Sequence, residues 1–390
     1  MKALSNILRF LLILVVLCLF FCNTIDIIEQ CHSCKDSINT LETQDAPLSI
    51  SHHYVSSGFM GDGADSIKKS IKMKNAVEKS TDQYDAGPFH QEFHYIPSGD
   101  SGWGGVYWLP PDTTTEWEKK EGISIRGAKS VSFLVKGQNG NEHICFTAAG
   151  IAGHPLPDST YQECIGIRQL SDSWQRFTIP LRFDSLPNVI GAFCWTARQK
   201  GNMENVHFCI DDIKFSTDPA EYSHDTLHVP IDVQTFFEPS DWMGDGETPG
   251  LVEINEHFKL EIRPDDTDSV ITALRYTIGS KHSTSVAWVS IKDNRGRFPG
   301  KTIISAEKVT FWVKCAHGKE YIQFKSGNPA YKESFYASAG YVDVDTTWRK
   351  KSIDLSEADL SNVNTAFSWT IDSDSTGKEI NFYIDKIVFE

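Results

Sequence analysis

Phe208-Cys209-Ile210-Asp211-Asp212-Ile213-Lys214-Phe215 and Phe382-Tyr383-Ile384-Asp385-Lys386-Ile387-Val388-Phe389 are two versions of one segment, and each closes a copy of the same pattern. Working backwards from the first, the chain reads Phe193-Cys194-Trp195-Thr196 and then Trp174. Working backwards from the second, it reads Phe367-Ser368-Trp369-Thr370 and then Trp348, displaced by the same number of positions throughout. Further upstream, Val131-Ser132-Phe133-Leu134-Val135-Lys136 answers Val309-Thr310-Phe311-Trp312-Val313-Lys314, and Phe59-Met60-Gly61-Asp62-Gly63 answers Trp242-Met243-Gly244-Asp245-Gly246. Solenoid units repeat at about 20–50 residues, so these copies are too long for a solenoid and are the size of domains.

Within each copy the apolar period is two. Val131, Phe133 and Val135 alternate with Ser132, Leu134 and Lys136, and Tyr321-Ile322-Gln323-Phe324-Lys325 is a similar short run. Clusters such as Lys136-Gly137-Gln138-Asn139-Gly140-Asn141 punctuate them. Short strands at regular spacing, without a long amphipathic helix, predict an all-β fold of two tandem β-sandwich (jelly-roll) domains. The expected boundaries are 51–215 for the first domain, 216–228 for a linker and 229–390 for the second domain.

The first 22 residues read as an export signal or a membrane anchor. Lys2 and Arg9 precede the apolar run Phe10 to Cys22, which is about 13 residues long and short of the ~20 that span a bilayer. Cleaved secretion, a retained anchor and lipidation at Cys22 all stay open. Residues 23–50 are polar and aperiodic and read as a flexible leader. The expected location is secreted or at the cell surface. A formal net charge of −15 over 390 residues argues against nucleic-acid binding. Of nine cysteines, Cys18 and Cys22 lie in the apolar run and Cys31 and Cys34 just beyond it. Cys194 with Cys209 and Cys145 with Cys164 are candidate bridges, since export permits disulfides.

Phe59-Met60-Gly61-Asp62-Gly63, Gly102-Trp103-Gly104-Gly105-Val106-Tyr107-Trp108, Phe133-Leu134-Val135-Lys136-Gly137 and Ile210-Asp211-Asp212-Ile213 resemble the carbohydrate-binding-module-like β-jelly-rolls of the galactose-binding-like fold. The resemblance covers both copies and implies a non-catalytic protein whose partner is a polysaccharide or other glycan. The second copy departs from it at Ser283-Thr284-Ser285-Val286-Ala287-Trp288, where the aromatic motif is lost.

Aromatic side chains both fill sandwich cores and stack on sugars, so the repeat serves as a control. Trp108, Trp174 and Trp195 recur as Trp288, Trp348 and Trp369, which marks them as core. Strand parity puts Val106 and Trp108 on one face and Trp103 and Tyr107 on the other. Trp103 and Tyr107, with Trp117 beyond them, form the candidate sugar platform of the first domain, with Asp100 and Gln91 as polar partners. The competing reading is that these rings pack under the Leu109–Glu121 loop.

The resemblance also implies a structural Ca2+, because the last-strand aspartate of such modules can be a ligand. Those positions are Asp211 and Asp385, and Glu238 lies near the first strand of the second copy. Asp62 and Asp245 recur in the Met-Gly-Asp-Gly turn and complete the candidate metal set; hydrogen bonding to their own turn is the alternative. No G-x-S-x-G, HExxH or P-loop occurs, so no catalytic residue is assigned and the chain is read as a non-enzyme. The second reading is a structural or adhesive surface protein with protein partners and no sugar ligand.

Overall fold

The computed structural model describes residues 43–390, apart from 63–69, 78–88, 98–101, 112–121, 149, 152–157, 161, 200–201, 203–204, 221–224, 245–251, 261–270, 279–283, 292–298, 330–331 and 372–379. The first copy begins with β1 (Thr43–Asp45), β2 (Leu48–Ser49), β3 (Val55–Gly61), β4 (Ile71–Val77), β5 (Phe89–Tyr95), β6 (Trp103–Leu109) and β7 (Ile123–Arg126). It continues with β8 (Ser130–Gly137), β9 (His143–Ala148), β10 (Glu163–Gln169), β11 (Gln175–Pro180), β12 (Ser185–Val189), β13 (Phe193–Arg198) and β14 (Val206–Ser216). The second copy opens with β15 (Thr226–His228), β16 (Ile231–Asp232), the single-turn α1 (Val233–Phe236), β17 (Glu238–Gly244), β18 (Val252–Leu260), β19 (Ile271–Ile278) and β20 (Thr284–Val289). It ends with β21 (Thr302–Ile304), β22 (Lys308–Cys315), β23 (Glu320–Ser326), β24 (Ala337–Val344), β25 (Arg349–Asp354), β26 (Thr365–Ile371) and β27 (Ile380–Phe389).

Each copy is a sandwich of two antiparallel sheets with the same strand order. In the first, a five-stranded sheet β10-β9-β13-β6-β3 faces a sheet β11-β8-β14-β5-β4, to which β2 adds through β14. In the second, β24-β23-β26-β20-β17 faces β25-β22-β27-β19-β18, with β16 on β27. A small sheet β1-β7-β12 flanks the first sandwich, and β15 pairs in parallel with β21 in the second.

The alternation read in the sequence fills both interiors. In the first core, Trp108 meets Phe193 at 5.1 Å, Trp195 meets Phe208 at 5.0 Å and Phe133 meets Phe146 at 4.8 Å. In the second, Trp288 meets Phe367 at 5.3 Å, Trp369 meets Phe382 at 4.9 Å and Phe311 meets Phe324 at 4.6 Å. The tilted and edge-on ring pairs suit the aromatic quadrupole, and removal of one such ring costs about 3–5 kcal/mol.

Three sequence expectations need correction. Trp174 and Trp348 are buried, but outside the sandwich cores: Trp174 packs with Leu134 and Cys209, and Trp348 with Trp312 and Tyr383. Lys136 and Lys314 lie over these rings at 5.1 and 5.5 Å. The flexible leader assigned to 23–50 ends too late, because Leu48 and Ile50 sit in the first core and β2 pairs with β14. The linker 216–228 ends in a strand, since Thr226, Leu227 and His228 pair with Thr302, Ile303 and Ile304.

That strand belongs to a tight junction, and residues 44–390 form one compact unit. Asp225 receives Arg168 from β10 of the first sandwich and Lys301 from the second. Lys301 is 3% exposed; its Nζ lies 2.7 Å from Asp225 and donates at 2.9 Å to the carbonyl of Ile167. Burial pushes the Lys301 ammonium below its ordinary range, partly offset by Asp225. Burial acts upward on Asp225, but Lys301 and Arg168 outweigh it and hold this carboxyl below its usual range. Arg198 meets Glu238 at 3.3 Å, and the ring of His143 meets Phe236 edge-on at 4.9 Å. Gly166, at φ +74°, faces the Ser290 carbonyl so closely that a Cβ would lie 2.5 Å from it.

Candidate functional site

The outer face of each five-stranded sheet is where the two copies diverge. In β6, Val106 and Trp108 are fully buried in the core, and Trp103 and Tyr107 lie half-buried on the opposite side. Tyr107 does not offer an open ring. It packs on a cluster of Leu109, Ile151 and Ile190, and burial, with Cys194 and Asp158 nearby, drives its phenol far above the ordinary range. Trp103 is opposite Arg198, which reaches Glu238 of the second sandwich. Gln91 lies on β5 in the other sheet and donates to Ser56 Oγ at 3.1 Å, so it does not join these rings. Trp117 and Asp100 lie outside the described residues.

Further along this face, the first sandwich is covered. His143, Cys145 and Ile167 occupy neighbouring outward positions on β9 and β10, and the second sandwich meets this region through Phe236 and Lys301. A cleft of about 590 Å³ remains at the junction, lined among others by His143, Gln169, His228 and Asp232.

The equivalent face of the second sandwich is buried at Ala287 and Ser368 on β20 and β26, but exposed on β23 and β24. On β23, Ile322 and Phe324 are fully buried, which turns Tyr321, Gln323 and Lys325 outward. Register pairs Gln323 with Tyr341 on β24 and with Thr370 on β26, and makes Tyr321 a diagonal neighbour of Tyr341. Tyr321 is 59% and Tyr341 38% exposed. Their rings stack at 5.0 Å with planes 14° apart. Lys325 donates to Thr370 Oγ1 at 3.1 Å, and Lys319 pairs with Asp343 at 2.7 Å at the rim. Tyr336, immediately before β24, is 51% exposed. Two flat apolar rings bordered by an amide, an ammonium and a hydroxyl can receive the C–H face of a sugar ring and hydrogen-bond its hydroxyls. The signal was present in the sequence as two tyrosines with no aromatic counterpart in the first copy.

The candidate metal residues are dispersed. Asp211 and Asp385 each sit at a β-bulge in the last strand, followed by Asp212 at φ 47° and Lys386 at φ 49°. Asp211 Oδ1 accepts the Asp212 N–H at 2.7 Å, and Asp385 Oδ1 accepts the Lys386 N–H at 2.8 Å. The repeated aspartate thus stabilises the irregular turn of its own strand. Asp211 Oδ2 is buried without a hydrogen bond, and burial raises this carboxyl above its ordinary range. One unpaired oxygen beside Asp212, which holds Arg176 and Lys214, falls short of the several oxygens Ca2+ takes. Glu238 faces Arg198, while Asp62 donates its N–H to the Trp103 carbonyl at 3.1 Å. Asp245 lies outside the described residues. Among the described residues no group of three His, Cys, Asp or Glu side chains is placed to hold a metal.

Cys194 and Cys209 cannot bridge. They occupy outward positions on opposite sheets, Cys194 across from Tyr107 and Cys209 against Trp174, with the core between them. Two buried carboxyls titrate high, but apart. Asp158 in the first sandwich is raised by burial, against hydrogen bonds from Gly191, Thr160 and Ile190. Glu333 in the second is pushed up by burial to about 7. They belong to different sandwiches and do not form the close pair that glycoside hydrolysis uses. Among the described residues no helix is long and apolar enough to cross a membrane. The leader 1–22 is outside those residues.

The fold defines the class: a tandem β-jelly-roll protein. No family model matches the chain, and no curated protein matches it. The solved structures to which it is similar include carbohydrate-binding modules, a glycoside hydrolase domain from Streptococcus pneumoniae and a secreted serine protease from Vibrio cholerae. The CBM22-1-CBM22-2 tandem domain of Paenibacillus barcinonensis Xyn10C is 13% identical, over 90% of this chain and 98% of that one, with a TM-score of 0.26. A family 30 carbohydrate-binding module is 17% identical, over 44% and 86%, with a TM-score of 0.27. SGBP-B from a complex xyloglucan utilization locus in Bacteroides uniformis is 13% identical, over 82% and 90%, with a TM-score of 0.23. At these identities and TM-scores the site has to be read from this chain's own residues.

Proposed function

We propose that the chain is a non-catalytic carbohydrate-binding protein of the extracytoplasmic space, and that its glycan platform is on the second sandwich. The observation that carries this reading is the exposed, stacked pair Tyr321 and Tyr341, with Gln323, Lys325 and Thr370 beside it on one sheet face. Exposed aromatic rings are uncommon without a partner to cover them, and this pair lies on a flat strand surface with polar groups in register. The first sandwich acts as the rigid mount, with its own equivalent face closed by the junction.

The test is binding of the full chain to a panel of polysaccharides and arrayed glycans. A Tyr321→Ala, Tyr341→Ala variant should bind more than about tenfold more weakly, as expected when two contact rings are truncated. A Trp103→Ala, Tyr107→Ala variant that remains folded should bind like the parent. Loss of binding only in the second variant would move the site to the first sandwich. A parent that binds no glycan would favour a structural or adhesive protein with protein partners.

A further inference from the structure

Cys145 and Cys164 are brought together on the outer face of the first sandwich, at the point where the second sandwich docks. Cys164 is opposite Thr147 and Cys145 opposite Ile167, and a bulge lies between those two pairings. The two sulfurs are 3.1 Å apart, so a bond of about 2.05 Å requires them to close by about an ångström. Both residues are half-buried, whereas Cys194, Cys209 and Cys315 are buried.

The bulge they flank is the docking element. Gly166 N–H donates to Cys164 Sγ at 3.0 Å from below, and Gly166 meets the Ser290 carbonyl from above. Ile167, next along, gives its carbonyl to Lys301, and Arg168 pairs with Asp225. We infer that Cys145 and Cys164 form a disulfide that staples β9 to β10 and fixes the bulge on which the second sandwich sits.

The chemistry runs in a defined direction. The hydrogen bond from Cys145 acts against burial and, with the Gly166 N–H, holds the Cys164 thiol below its ordinary range; the same pairing, with burial, raises Cys145. Cys164 thiolate therefore attacks first. With a small-molecule disulfide as acceptor, it forms a mixed disulfide and releases one thiolate. Cys145, losing its proton, then attacks the Cys164 sulfur and displaces the second thiolate. Two protein thiols are oxidised, one acceptor disulfide is reduced to two thiols, and the two protons go to the acceptor.

The experiment exposes the native full chain to oxidised glutathione, alkylates it after unfolding, and maps the digest by mass spectrometry. The expected result is a peptide linking Cys145 to Cys164, with Cys194, Cys209 and Cys315 alkylated. Cys145→Ser should leave Cys164 carrying glutathione, and Cys164→Ser should leave Cys145 largely alkylated; the contrast between the two variants identifies the attacking sulfur. Alkylation of both cysteines in the parent, or separate glutathione adducts on each, overturns the proposal. Hydrogen exchange then tests the second half. Amides of residues 163–169 should exchange about tenfold more slowly in the oxidised protein. Equal exchange in both states would overturn the stapling of the junction.

Discussion

The outer faces of the two five-stranded sheets are one surface with two different linings. His143, Cys145, Ile167 and Thr196 in the first sandwich occupy the register positions of Tyr321, Gln323, Tyr341 and Thr370 in the second. Only the threonine is shared. Where the face is covered, its neighbours are a buried lysine, an aspartate and a phenylalanine from the junction and the second sandwich. Where it is open, its residues are two stacked tyrosines and an amide. The interiors barely differ, with the same tryptophan–phenylalanine pairs at nearly the same separations. In this chain the two cores match, while the outward strand positions differ.

The largest effects should come from the shared core. Trp195→Ala and Trp369→Ala should each cost about 3–5 kcal/mol, measured by chemical denaturation. Only Trp369→Ala should also lower glycan binding, because only its sandwich carries the open platform. Equal loss of binding in both would erase the distinction between the faces.

At the junction, Lys301→Ala leaves Asp225 buried with one cation instead of two. A cost of about 2–4 kcal/mol is expected, and calorimetry should show the single melting transition splitting as the sandwiches uncouple. One unchanged transition would show that the covered face is held by packing alone.

Glu333 supplies a pH-dependent difference between the sandwiches. Its carboxyl titrates near 7 in the folded protein and near 4.5 as an ordinary glutamate. The folded state therefore binds more protons than the unfolded state between those values, and stability falls as pH rises through that window. Glu333→Gln should remove about 1–3 kcal/mol of this dependence, seen as a higher Tm at pH 8 with little change at pH 4. A variant with the parent's pH profile would place the sensitivity elsewhere.

The smallest effect on stability is expected at the platform. Tyr341→Ala should change stability by no more than about 1 kcal/mol, since the residue is only partly buried, while weakening glycan binding about tenfold. A variant that is clearly destabilised would mean that the stacked pair supports the edge strand β24 instead.

Much of the architecture was legible because it depends on local alternation and on a repeat. The parity that put Val106 and Trp108 on one face and Trp103 and Tyr107 on the other holds in the structure. Exposure was not legible, because the cover arrives from another part of the chain: Glu238 and Phe236 are far from β6 and β9 in sequence. Aromatics present in one copy only occur on β6 and also on β23 and β24, where Tyr321 and Tyr341 correspond to His143 and Ile167. The recurring aspartates were ambiguous for a different reason. A bulge and a metal site can both use an aspartate at this position, and the structure adds the hydrogen bonds to Asp212 and Lys386, which engage one oxygen of each carboxylate.

The junction centred on Asp225 also sets how many partners one molecule can hold. A duplicated binding module ordinarily gains avidity, because two sites on one tether engage the same polymer together. Here one copy's face is partly covered by the other, so the proposed platform predicts one glycan segment per chain, a ratio that titration calorimetry would read directly. On that reading, a single chain would neither cross-link two polymers nor gain grip through a second contact.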